Sequence, residues 1–162
     1  MFYMIKKTFF LLMLISVTVT GCDKDSVSSS GQIRIGQDYW NTGGAYIMPS
    51  ISSCSIVVYS KGAPETGNGS LARFDLSTDE IFQEYGYFPV GTFSIGEQFD
   101  ALFSTGESFD DPGTNYYPSE GTLTISGSRR GSCSIEFSGF TSSGIELTAE
   151  YKGKIHNAYE DE

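Results

Sequence analysis

The sequence predicts an all-β domain, built as an antiparallel β-sandwich or a small β-barrel of about eight strands. Two observations lead to this fold class. Apolar and polar residues alternate in short runs along most of the chain, and Gly, Ser and Thr separate these runs. Helical periodicity, in contrast, is hard to find. Many short strands with frequent turns are typical of sandwiches and barrels.

The strands of the first two thirds are predicted from period-two alternation. Ile33 and Ile35 share one face of a short strand at 32–35. The same pattern predicts strands at 54–59, 71–76, 92–95 and 99–104. Residues 77–87 fit two alternatives, a capped helical turn or a continuing strand, and the pattern does not decide between them.

The C-terminal third predicts a three-stranded meander. Strands at 122–125, 133–138 and 145–155 are separated by turns at 127–131 and 142–144. Short connections join antiparallel neighbours, and each strand should bury one face and expose the other.

The N-terminus has the features of an export signal. Lys6 and Lys7 precede an apolar run at 9–19, and Val19-Thr20-Gly21-Cys22 resembles the lipobox of bacterial lipoproteins. The resemblance implies that residues 1–21 are a signal peptide and that Cys22 becomes the acylated first residue, carrying chains such as palmitate. A membrane-spanning helix is disfavoured because the run is shorter than the roughly 20 apolar residues that a span needs. An ordinary secretory signal would end in an Ala-x-Ala-like site. Translation could start at Met1 or at Met4.

Residues 22–31 are acidic and rich in serine, which predicts a flexible tether. Asp23 and Asp25 resemble the export signals of Bacteroidota lipoproteins, and this implies lipid anchoring in the outer membrane. The cell surface is favoured over the periplasmic face. A single β domain is predicted at 32–156, followed by an acidic tail at 157–162.

A second resemblance comes from the motifs in the latter half of the chain. These are Gly91-Thr92-Phe93, Tyr116-Tyr117-Pro118, Gly121-Thr122-Leu123-Thr124-Ile125, Ile135-Glu136-Phe137 and Glu150-Tyr151-Lys152-Gly153-Lys154-Ile155. Their order resembles small all-β Bacteroidota lipoproteins of unknown function. The resemblance implies the fold and the location, and it carries over no catalytic residues.

Charge excludes one class of partner. Cleavage before Cys22 would remove Lys6 and Lys7 and change the formal charge from −10 to −12. Such a domain repels phosphate backbones, so nucleic acid is not expected as a partner.

The remaining two cysteines allow two interpretations. Cys54 and Cys133 each begin an alternating strand and share a face with apolar residues. In an oxidising compartment they are predicted to form a disulfide across the domain. The alternative is two separate buried thiols that pack as small apolar groups.

Residues suited to catalysis are scarce. His156 is the one histidine and lies close to the C-terminal tail, so a Ser-His-Asp triad or a zinc site has little to draw on. Adjacent carboxylates at 79–80 and 110–111 are typical of turns, as is the oxygen-rich segment 108–115. The sequence therefore predicts no enzyme, no metal and no cofactor.

Aromatic residues beside loops favour a binding function. Six of them are candidates for stacking on sugar rings: Tyr39, Trp40, Tyr85, Tyr87, Tyr116 and Tyr117. The alternative role of each ring is to cover an end of the core. The expected function is non-enzymatic binding, with glycan as the candidate ligand. A structural or assembly component of an envelope complex or pilus-like polymer, acting through an exposed sheet edge, is the competing hypothesis.

Overall fold

The computed structural model describes residues 29–50, 53–63, 69–77, 88–106 and 113–158, and it confirms the all-β class. The strands of this part are β1 (Ser30–Ile35), β2 (Asp38–Pro49), β3 (Ser53–Ser60), β4 (Gly69–Ser77), β5 (Gly91–Ser94), β6 (Phe99–Gly106), β7 (Thr114–Tyr116), β8 (Pro118–Gly127), β9 (Ser132–Thr141), β10 (Glu146–Lys154) and β11 (His156–Asn157). The predicted signal peptide, Cys22 and residues 78–87 lie outside the described residues.

All these strands belong to one sheet that curls into a half-barrel. The order is β5-β8-β9-β10-β1-β2-β3-β4-β6-β7, and β11 pairs with β2. Neighbours on this path are antiparallel, whereas β11 is parallel to β2. The described part holds eleven strands where about eight were predicted. Pieces as short as β7 and β11 carry too few residues to show an alternation.

A bend in β2 joins the two halves of the sheet. Its residues 38–41 pair with β1, whereas residues 42–49 pair with β3, and the register shifts between Thr42 and Gly44. A Cβ on Gly44 would lie 2.6 Å from Cζ of Tyr59, so glycine lets this ring lie over the strand. We call β5, β8, β9, β10, β1 and the start of β2 the first half. The rest of β2 with β3, β4, β6, β7 and β11 is the second half.

The core lies between the two halves and is centred on Phe137. The Phe137 ring of the first half lies 5.4 Å from the Phe74 ring and 5.3 Å from the Phe103 ring of the second half. It also covers Gly121 and Gly139, which face each other across β8 and β9. Aromatic pairs at such distances add to the stabilisation from burial.

The predicted meander is confirmed as β8, β9 and β10. Ile135 of β9 faces Ile125 of β8 and Tyr151 of β10, and all three side chains are buried. The predicted inward positions of β3, β4 and β6 are buried as well. One face inside and one outside is the burial pattern that the alternation predicted.

The disulfide prediction is wrong, because Cys54 and Cys133 are free buried thiols. Cys54 faces Pro49, at the end of the second half that is far from the bend in β2. Cys133 faces Gly153, at the end of the first half that is close to the bend. The alternation predicted correctly that both cysteines lie on the inner face. Along the strand direction, however, they lie at opposite ends of the core.

Burial also makes these thiols poor nucleophiles. It raises the pKa of Cys54 to about 12, with a smaller contribution from Asp75, and the pKa of Cys133 to about 11. A thiol must lose its proton to react, so both are inert in the folded protein near neutral pH.

Candidate ligand-binding surface

The structure separates the predicted aromatic residues into two groups. Trp40 and Tyr116 are half-buried and pack against the core, which is the alternative role considered for them. Tyr39 and Tyr117 are 62% and 64% exposed. Tyr85 and Tyr87 lie outside the described residues.

Tyr39 and Tyr117 do not form one site. Tyr39 is on β2, whereas Tyr117 directly precedes β8. Three strands, β1, β10 and β9, separate β2 from β8 in the sheet. Four strand spacings of about 4.8 Å correspond to roughly 19 Å.

The outer face of the first half is a polar surface between these two tyrosines. From β2 to β5, each strand contributes one residue to a row that crosses this face. The row consists of Tyr39, Arg34, Thr148, Ser138, Thr122 and Ser94. Most of this row carries hydroxyl groups, and none of its side chains is buried. The surface therefore offers hydrogen-bond donors and acceptors to a ligand that lies along it.

Phe140 is an exposed aromatic residue that the sequence reasoning missed. It lies on the same outer face and is 42% exposed. Glu146 of β10 and Glu120 of β8 face it directly from either side, and both are exposed. Directly opposite residues have Cβ atoms about 5 Å apart, so both carboxylates lie beside the ring.

Tyr117 lies at the same end of the sheet as Phe140. It precedes Pro118, which faces Thr141, the residue after Phe140. We call Tyr117, Glu120, Phe140 and Glu146 the Phe140 patch.

Local hydrogen bonds hold the backbone of this patch. The hydroxyl of Ser119 donates to the carbonyl of Phe140 at 3.2 Å, within a register shift of β8 between Pro118 and Glu120. In the turn after β9, the N–H of Gly144 donates to the carbonyl of Thr141 at 2.9 Å, and the N–H of Ile145 donates to the Thr141 hydroxyl at 3.0 Å. Bulges of this kind re-aim side chains and recur at functional sites.

Among the described residues, no cationic side chain forms an ion pair with the carboxylates of the patch. The ion pair found in the described part of the chain lies in the second half of the sheet, where Nε of Arg73 is 2.8 Å from Oδ1 of Asp75. Neither Glu120 nor Glu146 makes such a pair there. The patch is therefore an apolar ring between two negative charges.

The signal for Phe140 was present in the sequence. Cys133, Ile135 and Phe137 define the inner phase of β9, and continuing that phase reaches Gly139. Phe140 is then in the outer phase, where a large apolar side chain is exposed. The predicted alternation ends at Ser138, two residues before Phe140, and therefore leaves Phe140 outside the strand.

A second polar group of residues lies on the inner face, at the bend end of the second half. Thr42 faces Ser60 across β2 and β3, and the N–H of Ser70 donates to the Ser60 hydroxyl at 2.9 Å. These three side chains are at least 95% buried. The hydroxyls of Thr42 and Ser70 have no hydrogen-bond partner within the described ranges.

The described segments contain neither a metal-binding cluster nor a membrane-spanning helix. No three His, Cys, Asp or Glu residues of the described segments are grouped so as to hold a metal ion. Within those segments, no helix has the length and hydropathy to cross a membrane. The carboxylate pairs at 79–80 and 110–111 lie outside them.

Comparison of the chain with protein-family models, with curated proteins and with solved structures finds no match.

Proposed function

We propose that the chain is an outer-membrane lipoprotein, anchored through acylated Cys22, whose β domain binds a glycan without catalysis. The Phe140 patch is the proposed binding site. The observation that carries the proposal is an exposed aromatic ring with a carboxylate on each side, at the end of a hydroxyl-rich sheet face.

The chemistry of the patch suits a sugar. The apolar face of a pyranose can stack on the Phe140 ring, while Glu120 and Glu146 accept hydrogen bonds from hydroxyl groups at the ring edge. Thr122 and Ser138 lie two positions along the same strands, towards the centre of the face. A longer glycan could continue over them, and hydrogen bonds to hydroxyls set orientation more than affinity.

The position of the patch suits an anchored protein. β1 begins at Ser30, which faces Lys152, and ends at Ile35, which faces Leu147 next to Glu146. The chain from Cys22 thus enters the sheet at one end of β1, and the patch lies at the other end. This arrangement supports a binding surface directed away from the membrane.

Binding is tested with the full chain carrying Cys22→Ser, screened against neutral and charged oligosaccharides by calorimetry. Phe140→Ala should weaken binding at least tenfold, because truncating a central aromatic contact commonly costs more than about 1.4 kcal/mol. Val90→Ala removes an exposed apolar side chain elsewhere and should leave affinity unchanged. Equal affinity of Phe140→Ala and the parent would refute the site.

The anchor and its location need separate tests. Cys22→Ser should release the protein from membranes, and protease treatment of intact cells should degrade the parent if it faces outwards. Retention of the Cys22→Ser protein in the membrane would contradict the anchor, and protection of the parent would contradict the cell-surface location.

Assembly through a sheet edge ranks second. At the β5 edge, Ser94 donates its N–H to the Gln98 side chain at 3.0 Å and accepts from the Gln98 N–H at 3.1 Å. Both main-chain groups of Ser94 are thus already used, which is one way proteins prevent strand addition. This capping concerns the β5 edge, and β7 is the other edge of the sheet. Glycan binding is placed first because of the exposed Phe140 patch.

A further inference from the structure

We infer that the ligand of the Phe140 patch carries a positive charge, and that its class is a glycan with a free ammonium group, such as an N-unsubstituted amino sugar. This inference rests on the proposed function, since it concerns the same patch. It adds the chemical feature by which that patch would select one sugar over another.

Negatively charged side chains lie on both sides of Phe140. Glu120 and Glu146 face the ring from neighbouring strands, so the two carboxylates bracket one binding position. Two strand spacings correspond to roughly 10 Å, a separation that leaves room for one sugar ring between them. An ammonium group on that ring would reach either carboxylate.

Within the described segments, neither carboxylate of this pair forms an ion pair with a cationic side chain. Among the cations of the same face, Arg34 faces Thr148, two residues from Glu146, without pairing with that glutamate. Lys152 and Lys154 face Ser134 and Ser132, towards the opposite end of the sheet. Like charges close together on one surface favour a cationic ligand through charge complementarity. The acidic chain, with a formal charge of −10, disfavours anionic glycans at the same position.

The aromatic ring of Phe140 also favours a cationic ligand. The face of an aromatic ring attracts cations, and hydrogen bonds from an ammonium to a carboxylate are roughly twice as strong as neutral ones. An amino sugar satisfies both contacts and still offers an apolar face for stacking. A neutral sugar satisfies only the stacking and the weaker hydrogen bonds.

The test compares two ligands that differ in one group. Oligomers of β-1,4-linked glucosamine carry free ammonium groups, and the same oligomers of N-acetylglucosamine do not. At pH 6 and low salt, the full chain carrying Cys22→Ser should bind the glucosamine oligomer at least tenfold more tightly. The preference should shrink as salt screens the charges.

Matched variants assign the preference to the two carboxylates. Glu120→Gln and Glu146→Gln keep the shape of the side chain and remove its charge, so each should reduce the preference several-fold. Glu97→Gln removes an exposed carboxylate in the turn between β5 and β6 and serves as the control. Thermal melting confirms that each variant is folded.

The outcomes separate this inference from the proposed function. Equal binding of both oligomers, with loss of both in Phe140→Ala, would overturn the charge inference and leave the glycan site standing. A preference that survives both glutamine substitutions would also overturn it. Absence of binding to every oligosaccharide tested would overturn the proposed function itself.

Discussion

Replacing Gly139 with alanine tests the account of the core most directly. Glycine within a strand usually weakens it, so alanine alone would be expected to add about 0.5–1 kcal/mol of stability. The structure predicts the opposite sign. A Cβ on Gly139 would lie 2.7 Å from Cζ of Phe137 and 3.0 Å from Cα of Gly121, and closer still to the main-chain oxygen of Glu120.

The size of the effect follows from these contacts. Carbon atoms in contact prefer separations of about 3.5–4.0 Å. Two of the three obstructing atoms are backbone atoms of β8, and the third belongs to Phe137, which contacts Phe74 and Phe103. Relief therefore requires a shift at the centre of the core, and overpacking of this kind costs about 1–3 kcal/mol. We expect a loss close to 3 kcal/mol, out of a total stability of roughly 5–15 kcal/mol.

Urea denaturation of parent and variant measures this loss. The midpoint should fall with an unchanged slope, and the melting temperature should fall by roughly 10 °C. Gly131→Ala is the matched control, because its nearest obstruction is the hydroxyl of Ser128 at 2.9 Å, an atom that can rotate away. A Gly139→Ala protein as stable as the parent would refute the tight packing of Phe137 against the glycine pair.

Three further predictions concern buried polar groups. Burial raises the pKa of Cys54 from 9.0 to about 12 and that of Tyr151 from 10.0 to about 12, so the folded state holds both protons more tightly than the unfolded state. Below pH 9 both groups are protonated in the folded and unfolded states, and the free energy of unfolding keeps its full value. Between pH 9 and 12 the unfolded state releases the protons first, so the free energy of unfolding falls, by about 4 kcal/mol for Cys54. Cys54→Ala should flatten this decline in denaturation curves. In the Cys22→Ser protein, a thiol reagent should detect no thiol in the native state and two in denaturant, whereas none in denaturant would restore the disulfide between Cys54 and Cys133. Thr42→Val should raise stability by about 1 kcal/mol, because it removes a buried hydroxyl without a partner; a loss in the same denaturation assay would indicate that a bound water satisfies it.

Alternation along the chain was sufficient to predict the fold class and the inward face of most strands. It failed for β2, because the sequence Tyr39 to Gly44 shows no period of two and the bend makes its halves belong to different ladders. Alternation also could not predict the register, that is, which residues of two neighbouring strands lie opposite each other. Cys54 and Cys133 were therefore placed on the correct face and paired wrongly.

The same limit applies to the candidate site. The exposure of Tyr39 and Tyr117 agrees with their predicted place beside loops, but the distance between them depends on the strand order. The Phe140 patch exists because β8, β9 and β10 align Glu120, Phe140 and Glu146 in one row. These residues are far apart in the sequence, and only the register brings them together.

The pairing of β1 with β10 has a consequence for how the protein matures. Ile33 near the start of the domain faces Ala149 near its end, so this ladder closes a loop of more than a hundred residues. Contacts of such long range form late and slowly, since the entropy of closing the loop must be overcome first. An emerging chain cannot complete its sheet until β10 has been synthesised and released. If the chain is exported as we propose, the polypeptide should stay unfolded and competent for translocation during export, and acquire its structure only afterwards.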